Sequence, residues 1–208
     1  MISYSIKAAQ EAGLFDRILV TTDSDAIAEV ALAHGAEVPF RRPPELCDDN
    51  TPTAPVVAHA IEWLRQAGTP ADYACCIYAT APFIRAEDIR VGFDILTKNA
   101  VSSAFTVTTF AFPIFRALRL AENGALAMFW PEHKVTRSQD LPTAYHDAGQ
   151  FYWLSVTRFL ESKTLYDLDT RPIVLPRYLV QDIDTLEDWE MAEHMYQALS
   201  LRKSRETI

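Results

Sequence analysis

Helical and strand-like segments alternate along this chain, and the alternation restricts its possible folds more than any other feature of the sequence. Apolar residues recur at helical spacing from Ile2 to Ala12, and Gly13 is typical of the position just past a helix end. Residues 17–22 form a short β-branched run. Ser24 can cap a second helix that runs through Ala33, and residues 36–40 return to strand-like character. This order predicts βαβ units.

The same alternation continues through the middle of the chain. After a proline-rich loop, Pro52 suits the first turn of a helix that ends before Gly68. Residues 73–80 resemble a buried central strand, residues 87–98 fit a helix, and residues 101–108 fit a strand. Strands that alternate with helices predict one three-layer α/β domain around a parallel sheet.

Residues 110–144 interrupt this pattern with short β-like pieces around a turn at Glu122-Asn123-Gly124. We therefore expect a protruding hairpin insertion within a single domain that spans residues 1–208. The α/β pattern resumes at residues 150–155, and a run at residues 178–180 leads into Gln181-Asp182-Ile183-Asp184. Thr185 and Asp188 then form a candidate capping box for a last helix that reaches about Leu201.

Composition excludes several classes of partner. The formal net charge is -9 over 208 residues, so the chain has no broad basic surface for nucleic acid or an anionic membrane. No run of about 18 apolar residues is present, and the first residues do not resemble an export signal. The three cysteines are Cys47 and the adjacent pair Cys75 and Cys76, which lack metal-ligand spacing and favour a reducing cytoplasm.

Two aspartates are the candidate metal ligands. Asp182 and Asp184 lie two positions apart at the predicted end of a strand, so we expect their side chains on one face, roughly 7 Å apart. Ligands of open α/β sheets bind at this edge, and Mg²⁺ takes one or two protein carboxylates and completes its shell with water and phosphate. The alternative is that Asp184 caps the last helix and Asp182 is solvated.

Other polar residues fall at positions where a ligand could be held. Asp23 ends the first predicted strand and either binds a ribose hydroxyl or caps the following helix. Arg41 and Arg42 precede two prolines, where they either meet phosphate or remain solvated. The polar and aromatic residues of 136–153 suit a sugar pocket, or form a polar loop before a core strand; the candidates are Arg137, Gln139, Tyr145, His146 and Gln150.

Four blocks of the sequence resemble, in order, those of the CMP-sialic acid synthetases, and within that family the pseudaminic acid cytidylyltransferases most closely. The blocks are TTDSDAIAEVALAHGAEVPFRRPPEL, YATAPFIRAEDI, RSQDLPTAYHDAGQFYW and QDIDTLEDWEMAE, and they span nearly the whole chain. The resemblance implies a three-layer α/β/α, Rossmann-like nucleotidyltransferase fold with a small protruding dimerisation region, and hence a homodimer.

The resemblance also implies a reaction and a set of site residues. The sugar's anomeric hydroxyl attacks the α-phosphate of CTP, giving a CMP-sugar and pyrophosphate, and the sugar is a nonulosonic acid. Asp182 and Asp184 correspond to the family's Mg²⁺-binding Asp-x-Asp pair. The implied nucleotide contacts are Arg42, Thr51, Thr53 and Asp23. The implied sugar contacts are Thr80, Arg137, Gln139, Tyr145, Gln150 and Tyr152.

Two departures from the family pattern qualify this resemblance. Ala148-Gly149 stands where sialic acid enzymes carry Asn-Gly, which favours pseudaminic acid over N-acetylneuraminic acid. The chain also opens at the helix that follows the family's Gly-, Ser-, Lys- and Arg-rich phosphate-binding loop, so we expect weakened triphosphate binding. Two alternatives stay open: a non-catalytic binding or dimerising protein, and a cytidylyltransferase for another acidic sugar.

Overall fold

A computed structural model describes residues 1–206 of the chain. Within this range the helices are α1 (Ile2–Ala12), α2 (Asp25–Ala33), α3 (Thr53–Gln66), α4 (Ala86–Asn99), α5 (Val156–Ser162) and α6 (Leu186–Glu206). The strands are β1 (Tyr73–Ile77), β2 (Ser103–Thr109), β3 (Leu118–Leu120), β4 (Leu126–Met128), β5 (Tyr145–Ser155) and β6 (Arg171–Val174). Neither β6 nor α5 was predicted from the sequence.

The central sheet is mixed, which corrects the prediction of a parallel sheet. Its strand order is β1-β5-β2-β6, and β5 runs antiparallel to both of its neighbours whereas β2 and β6 are parallel. The physical reason is the connection at residues 110–144, which contains the β3–β4 hairpin instead of a crossover helix. Such a connection returns the chain beside β2 in the opposite direction.

Side chains of β5 alternate between two cores, one on each face of the sheet. Phe151 and Trp153 pack with α1 and α4, and Trp153 donates its indole N–H to the Ile89 carbonyl at 2.9 Å. Tyr152 and Leu154 pack on the opposite face, with α3 and α5. Because both faces are covered by helices, the predicted three-layer α/β/α architecture is confirmed.

Close packing on the first face depends on Gly92 of α4. A Cβ at this position would lie 2.7 Å from Trp153 Cδ1 and 3.0 Å from both Ile173 Cδ1 and Phe151 Cε2. Only a glycine therefore allows α4 to approach β5 and β6 this closely.

The two strands expected at residues 17–22 and 36–40 are reduced to one parallel bridge, between Leu19 and Glu37. Val20 N–H donates to the Glu37 carbonyl and Glu37 N–H donates to the Ile18 carbonyl, both at 2.8 Å. These runs do not join the four-stranded sheet; instead they form a separate small core with α1 and α2 around Ile6 and Ala31. The β-branched pattern correctly indicated extended backbone but overstated its length.

Local end signals placed the helices well. Gly13 has φ 66° at the end of α1, and Ser24 caps α2 by accepting the N–H of Ile27. Before α6, Thr185 N–H donates to Asp188 Oδ2 at 2.9 Å, and Asp188 N–H donates to Thr185 Oγ1 at 3.2 Å. This reciprocal pair confirms the predicted capping box.

The β3–β4 hairpin forms a separate two-stranded sheet, as the turn at Asn123-Gly124 predicted. Several large apolar side chains in and around this segment are exposed, and Val135 is 90% exposed. The others are Phe112, Leu118, Leu120, Leu126 and Phe129.

The remaining predictions about the chain concern cysteines and membranes. The three cysteines are unpaired, and burial raises the pKa of Cys76 to about 12, so this thiol belongs to the core packing. Among the described helices, none combines the length and apolar character needed to cross a membrane.

Candidate active site

The candidate site lies at the edge of the sheet where β1, β2 and β6 end and β5 begins. Tyr145, the first residue of β5, pairs with Thr109, the last residue of β2. On the other side of β5, Tyr78 follows β1 and its N–H donates to the Gln150 carbonyl at 2.9 Å. Because β5 is antiparallel, its first residues meet the carboxyl ends of the other three strands.

Asp182 and Asp184 lie near this edge but are not part of a strand, which corrects the prediction that residues 178–180 form one. The chain instead makes a 3-10 turn at Arg177–Leu179, and residues 180–184 are irregular. Asp188 of α6 stabilises this path, since its Oδ2 accepts the N–H groups of Asp184 and Thr185 at 3.3 and 2.9 Å. The spacing argument for two carboxylates on one strand face therefore does not apply.

Like charges surround Asp182. Its burial raises the pKa of its carboxyl group, and the negative charges of Asp184, Asp147 and Asp188 raise it further. No ion pair with Asp182, Asp184 or Asp147 occurs among the residues whose side chains are described. A group of carboxylates without a cationic partner is electrostatically suited to a bound cation.

The oxygen donors of Asp182 and Asp184 fit Mg²⁺. Across residues 1–206 no set of three or more His, Cys, Asp or Glu side chains is arranged to hold an ion by itself. Mg²⁺ does not need such a set, because it usually keeps several waters and binds through one or two carboxylates together with substrate phosphates. The donor set therefore suits an ion that arrives with a phosphorylated substrate.

The candidate nucleotide-binding residues lie on segments 21–24 and 41–52 and at the first residue of α3. Arg42 is half-buried, and its Nε and Nη2 donate to the hydroxyl and carbonyl oxygens of Thr21, at 3.1 and 2.5 Å. Thr51 donates to Asp48 Oδ2 at 2.9 Å, and Thr53 Oγ1 lies 3.2 Å from the Tyr78 hydroxyl oxygen. The structure thus fixes Arg42 on a folded loop and connects Thr53 to the end of β1.

Asp23 is exposed, and Ser24 rather than Asp23 caps α2. The Asp23 carboxylate lies beside the Cys47 thiol, whose pKa is raised first by burial and then by the Asp23 charge. The capping function that competed with a ligand role for Asp23 is therefore taken by its neighbour.

The candidate sugar-binding residues divide into an exposed group and a buried group. Thr80, Arg137 and Gln139 are exposed, and Tyr145 is 50% exposed. Arg137 pairs with Asp140 at 2.8 Å. By contrast, Gln150 and Tyr152 are each only 3% exposed.

The buried pair contacts the protein itself. The Gln150 side-chain nitrogen donates to the Leu179 carbonyl at 2.6 Å, and its Oε1 has no hydrogen-bond partner among the described atoms. The Tyr152 hydroxyl donates to Asp147, and burial together with this carboxylate raises the pKa of Tyr152. Tyr78 packs against Tyr152 with ring centroids 5.6 Å apart.

Sequence reasoning did not identify Asp147 or Tyr78 as site residues. Tyr78 joins Thr53 to Tyr152, and Tyr152 joins Asp147, so these contacts run from the start of α3 to the carboxylate group. The Asp-Ala-Gly sequence at 147–149 was a usable signal, because an aspartate two residues before a glycine commonly accepts the glycine N–H in a turn.

Comparisons with known proteins identify the family of this chain. A family model described as cytidylyltransferase matches residues 1–206. The chain is 41% identical over 196 residues to a pseudaminic acid cytidylyltransferase of Campylobacter jejuni, which covers 94% of this chain and 84% of the relative. It is 27% identical over 202 residues to a CMP-N,N'-diacetyllegionaminic acid synthase of Legionella pneumophila, covering 94% and 84% of the two chains.

Among solved structures, a CMP:2-keto-3-deoxy-manno-octonic acid synthetase complexed with CTP shares the fold. Its TM-score is 0.58 at 12% identity, and the match covers 96% of this chain and 88% of that one. With the family model matching almost every residue, the chain belongs to the cytidylyltransferase family.

Proposed function

We propose that the protein transfers CMP from CTP to the anomeric hydroxyl of pseudaminic acid and releases pyrophosphate. The graded identity of its relatives carries this choice of sugar. Two relatives named for pseudaminic acid are 41% and 40% identical, and a third, which also carries a hydrolase name, is 30% identical. Relatives named for N,N'-diacetyllegionaminic acid are 27% and 30% identical over similar shares of the chain, so the two highest identities favour pseudaminic acid. The product is an activated sugar for surface-glycan or flagellin glycosylation.

In this proposal Asp182 and Asp184 hold Mg²⁺, the cofactor. Mg²⁺ bound there supplies positive charge that offsets the developing charge on the phosphate oxygens. The two carboxylates would hold the ion, and the remaining side chains position the sugar hydroxyl in line with the α-phosphate. The residues described contain no arrangement that points to a covalent intermediate, so the catalysis is positioning and charge neutralisation.

We assign the nucleotide and the sugar to two separate groups of residues. Arg42, Thr51, Thr53 and Asp23 bind the nucleotide, and Arg42 suits this role because Thr21 already orients its guanidinium. Thr80, Arg137, Gln139 and Tyr145 are accessible to the sugar, whereas Gln150 and Tyr152 act from beneath the surface. Replacement of Arg137 by alanine is expected to raise the KM for the sugar more than the KM for CTP; the reverse result assigns Arg137 to the nucleotide.

We also propose that the protein is a homodimer in the cytoplasm. Several large apolar side chains of the hairpin region are exposed, which supports dimerisation, because exposed apolar surface commonly marks an interface. Light scattering of the purified protein and of Leu120→Lys tests this, and a monomeric wild-type protein at micromolar concentration would overturn it. The unpaired thiols and the dependence on CTP support a cytoplasmic location.

The decisive experiment is pyrophosphate release from CTP and Mg²⁺ by the protein expressed as its gene encodes it. Pseudaminic acid, N,N'-diacetyllegionaminic acid, N-acetylneuraminic acid and a keto-deoxy-octonate are compared, and the CMP-sugar is identified by mass spectrometry. We expect the highest kcat/KM with pseudaminic acid. Turnover of another sugar in its place would overturn the choice of substrate, and turnover of none would overturn the proposed activity.

A further inference from the structure

A bulge in β5 lies directly beside the candidate metal-binding segment. Along the β2–β5 ladder Phe105 pairs with Tyr152, but Val107 pairs with Asp147. Residues 148–151 of β5 therefore face Thr106 alone, and the Phe151 N–H donates to the Thr106 hydroxyl at 3.4 Å. Bulges of this kind redirect a strand locally and often lie next to active sites.

Asp147 closes this bulge by joining its two ends. Its Oδ1 accepts the N–H of Gly149 at 2.8 Å, and its Oδ2 accepts the hydroxyl of Tyr152. Tyr152 is fixed in turn by a stacked contact with Phe105, with ring centroids 5.2 Å apart. Gly149 has φ 62°, a conformation that side-chain-bearing residues rarely adopt, so the bulge favours glycine at this position.

The bulge contacts the segment that carries Asp182 at two points. A Cβ at Gly149 would lie 3.4 Å from Asp182 Oδ1, so the glycine backbone packs against that carboxylate. One residue further, the Gln150 amide donates to the Leu179 carbonyl at 2.6 Å. Because residues 180–184 are not part of a strand, contacts of this kind must fix their position.

We propose that Asp147 is a positioning residue for the Mg²⁺ ligand Asp182: it holds the β5 bulge in the form that places Gly149 and Gln150 against the Asp182 segment. The inference rests on the proposed Mg²⁺-dependent cytidylyl transfer. Both Asp147 oxygens accept hydrogen bonds within the bulge, so the proposal gives Asp147 a positioning role and not that of a ligand. Residues that orient metal ligands in this way strongly affect affinity for the ion.

Metal affinity measured without substrates separates positioning from direct ligation. The protein is titrated with Mn²⁺ in the absence of substrates, and water proton relaxation measures the bound ion. Near-UV circular dichroism checks the fold of each variant. Asp147→Ala is expected to weaken Mn²⁺ binding about 10-fold. Asp147→Asn loses the charge but keeps an acceptor for Gly149 and a hydrogen-bonding group for Tyr152, so it is expected to lose clearly less affinity than Asp147→Ala. An equal loss in both variants would show that the charge of Asp147 acts directly and would overturn the proposal.

Tyr152→Phe provides the opposite test. It removes the hydroxyl that anchors Asp147 but leaves every carboxylate in place. Positioning predicts weaker Mn²⁺ binding, between wild type and Asp147→Ala. If Asp147 were itself a ligand, removing the competing hydroxyl would free its oxygen, and Mn²⁺ binding would stay unchanged or become tighter, which contradicts the proposal.

Gly149→Ala has a matched control in Gly13→Ala. Both glycines have nearly the same positive φ, 62° and 66°, so both substitutions strain the backbone alike. Only at Gly149 does the new methyl group reach another residue, the Asp182 carboxylate; nothing lies within 4 Å at Gly13. Gly149→Ala is expected to weaken Mn²⁺ binding, and Gly13→Ala is expected to leave it unchanged.

Turnover assays keep this proposal distinguishable from the proposed function. Positioning predicts that Asp147→Ala raises the Mg²⁺ concentration needed for half-maximal activity and leaves the KM for CTP at saturating Mg²⁺ nearly unchanged. Wild-type turnover together with unchanged Mn²⁺ affinity in Asp147→Ala would reject the positioning role alone. Absence of turnover in the wild type would reject the function, while the Mn²⁺ titrations would still report on the bulge.

Discussion

Acidic residues gather at both ends of the central sheet, but their surroundings differ. At the end where β2 and β6 begin, Asp169 pairs with Arg158 at 2.5 Å and accepts the N–H of Ser102 at 3.0 Å. Asp167 accepts the Asp169 N–H and the Ser102 hydroxyl, and these hydrogen bonds lower the pKa of Asp167. At the opposite end, burial and neighbouring negative charges raise the pKa of Asp182.

This contrast separates carboxylates that serve the fold from carboxylates available to a ligand. In the Asp167 cluster, formed by Asp167 and Asp169, both carboxylates accept hydrogen bonds that hold the loop, and those to Asp167 favour its ionised form in the folded state. The Asp182 cluster, formed by Asp182, Asp184 and Asp147, has no cationic partner among the described side chains. The repulsion between its carboxylates is therefore not offset in the folded state. Strain of this kind is commonly retained at functional sites, where a ligand relieves it.

The largest expected effect is on turnover, when Asp182 or Asp184 is replaced by asparagine. Asp182→Asn and Asp184→Asn are expected to lower kcat about 1,000-fold, because loss of a bound cation removes several kcal/mol of transition-state stabilisation. The melting temperature should stay the same or rise, since the substitution relieves repulsion. Steady-state pyrophosphate release and thermal unfolding measure the two effects.

Asp169→Asn is the matched control for these variants. It keeps the shape of the side chain and lies at the other end of the sheet, so its kcat should be that of the wild type. Normal turnover in Asp184→Asn would remove Asp184 from the metal site. A loss of turnover in folded Asp169→Asn would mean that the two ends of the sheet are not functionally separate.

The free energy of unfolding should show the opposite order, with a larger loss in Asp169→Asn than in Asp184→Asn. Asp169→Asn weakens the bonds to Arg158 and Ser102, and we expect a loss of about 1 kcal/mol in the free energy of unfolding. For a domain of this size that loss corresponds to a fall in melting temperature of roughly 2–4 °C. Differential scanning calorimetry of Asp169→Asn beside Asp184→Asn makes the comparison. A larger loss in Asp184→Asn would show that this aspartate supports the fold.

Only part of the fold and of the candidate site could be predicted from the sequence, and the reasons are physical. Gly13, Ser24 and the Thr185–Asp188 pair act within one turn of a helix, so their effect can be recognised from neighbouring residues. The hypothesis that Asp182 and Asp184 bind Mg²⁺ also came from the sequence, because two closely spaced carboxylates suit this ion, and it stays a prediction.

What the sequence could not provide was the pairing of distant strands. The antiparallel direction of β5 and its bulge depend on register against β2, more than forty positions away in the Tyr152–Phe105 pair. The role of Asp147 therefore became visible only when the bulge placed Gly149 against Asp182. Likewise, nothing near Asp182 in the sequence indicated that residues 178–180 would form a 3-10 turn in place of a strand.

A smaller effect is expected on the melting temperature when Mg²⁺ is added. A ligand that binds only the folded state raises its stability by RT ln(1 + [L]/Kd), so Mg²⁺ at about twice its Kd adds roughly 0.6 kcal/mol. We expect Mg²⁺ to raise the melting temperature of the wild type and of Asp169→Asn but not of Asp184→Asn. KCl at the same ionic strength as the added MgCl₂ controls for screening. An equal rise in all three proteins would place the ion elsewhere.

The smallest expected effect concerns pH at the structural cluster. Hydrogen bonds from the Asp169 N–H and the Ser102 hydroxyl lower the pKa of Asp167 in the folded state, so their stabilisation is present above the unfolded-state pKa and is lost as pH falls through the folded-state pKa. Ser102→Ala removes the hydroxyl. The difference in melting temperature between wild type and Ser102→Ala should therefore be largest at neutral pH and shrink on acidification.

Ser103→Ala is the matched control for this pH effect. The Ser103 hydroxyl is also buried beside the same loop, but it bonds at 2.7 Å to the Thr170 hydroxyl, a group that does not titrate in this range. Its loss should cost the same stability at pH 7 and at low pH. If Ser102→Ala behaved in the same way, the charge of Asp167 would not contribute to holding its loop, and the contrast between the two acidic clusters would rest on the Arg158 pair alone.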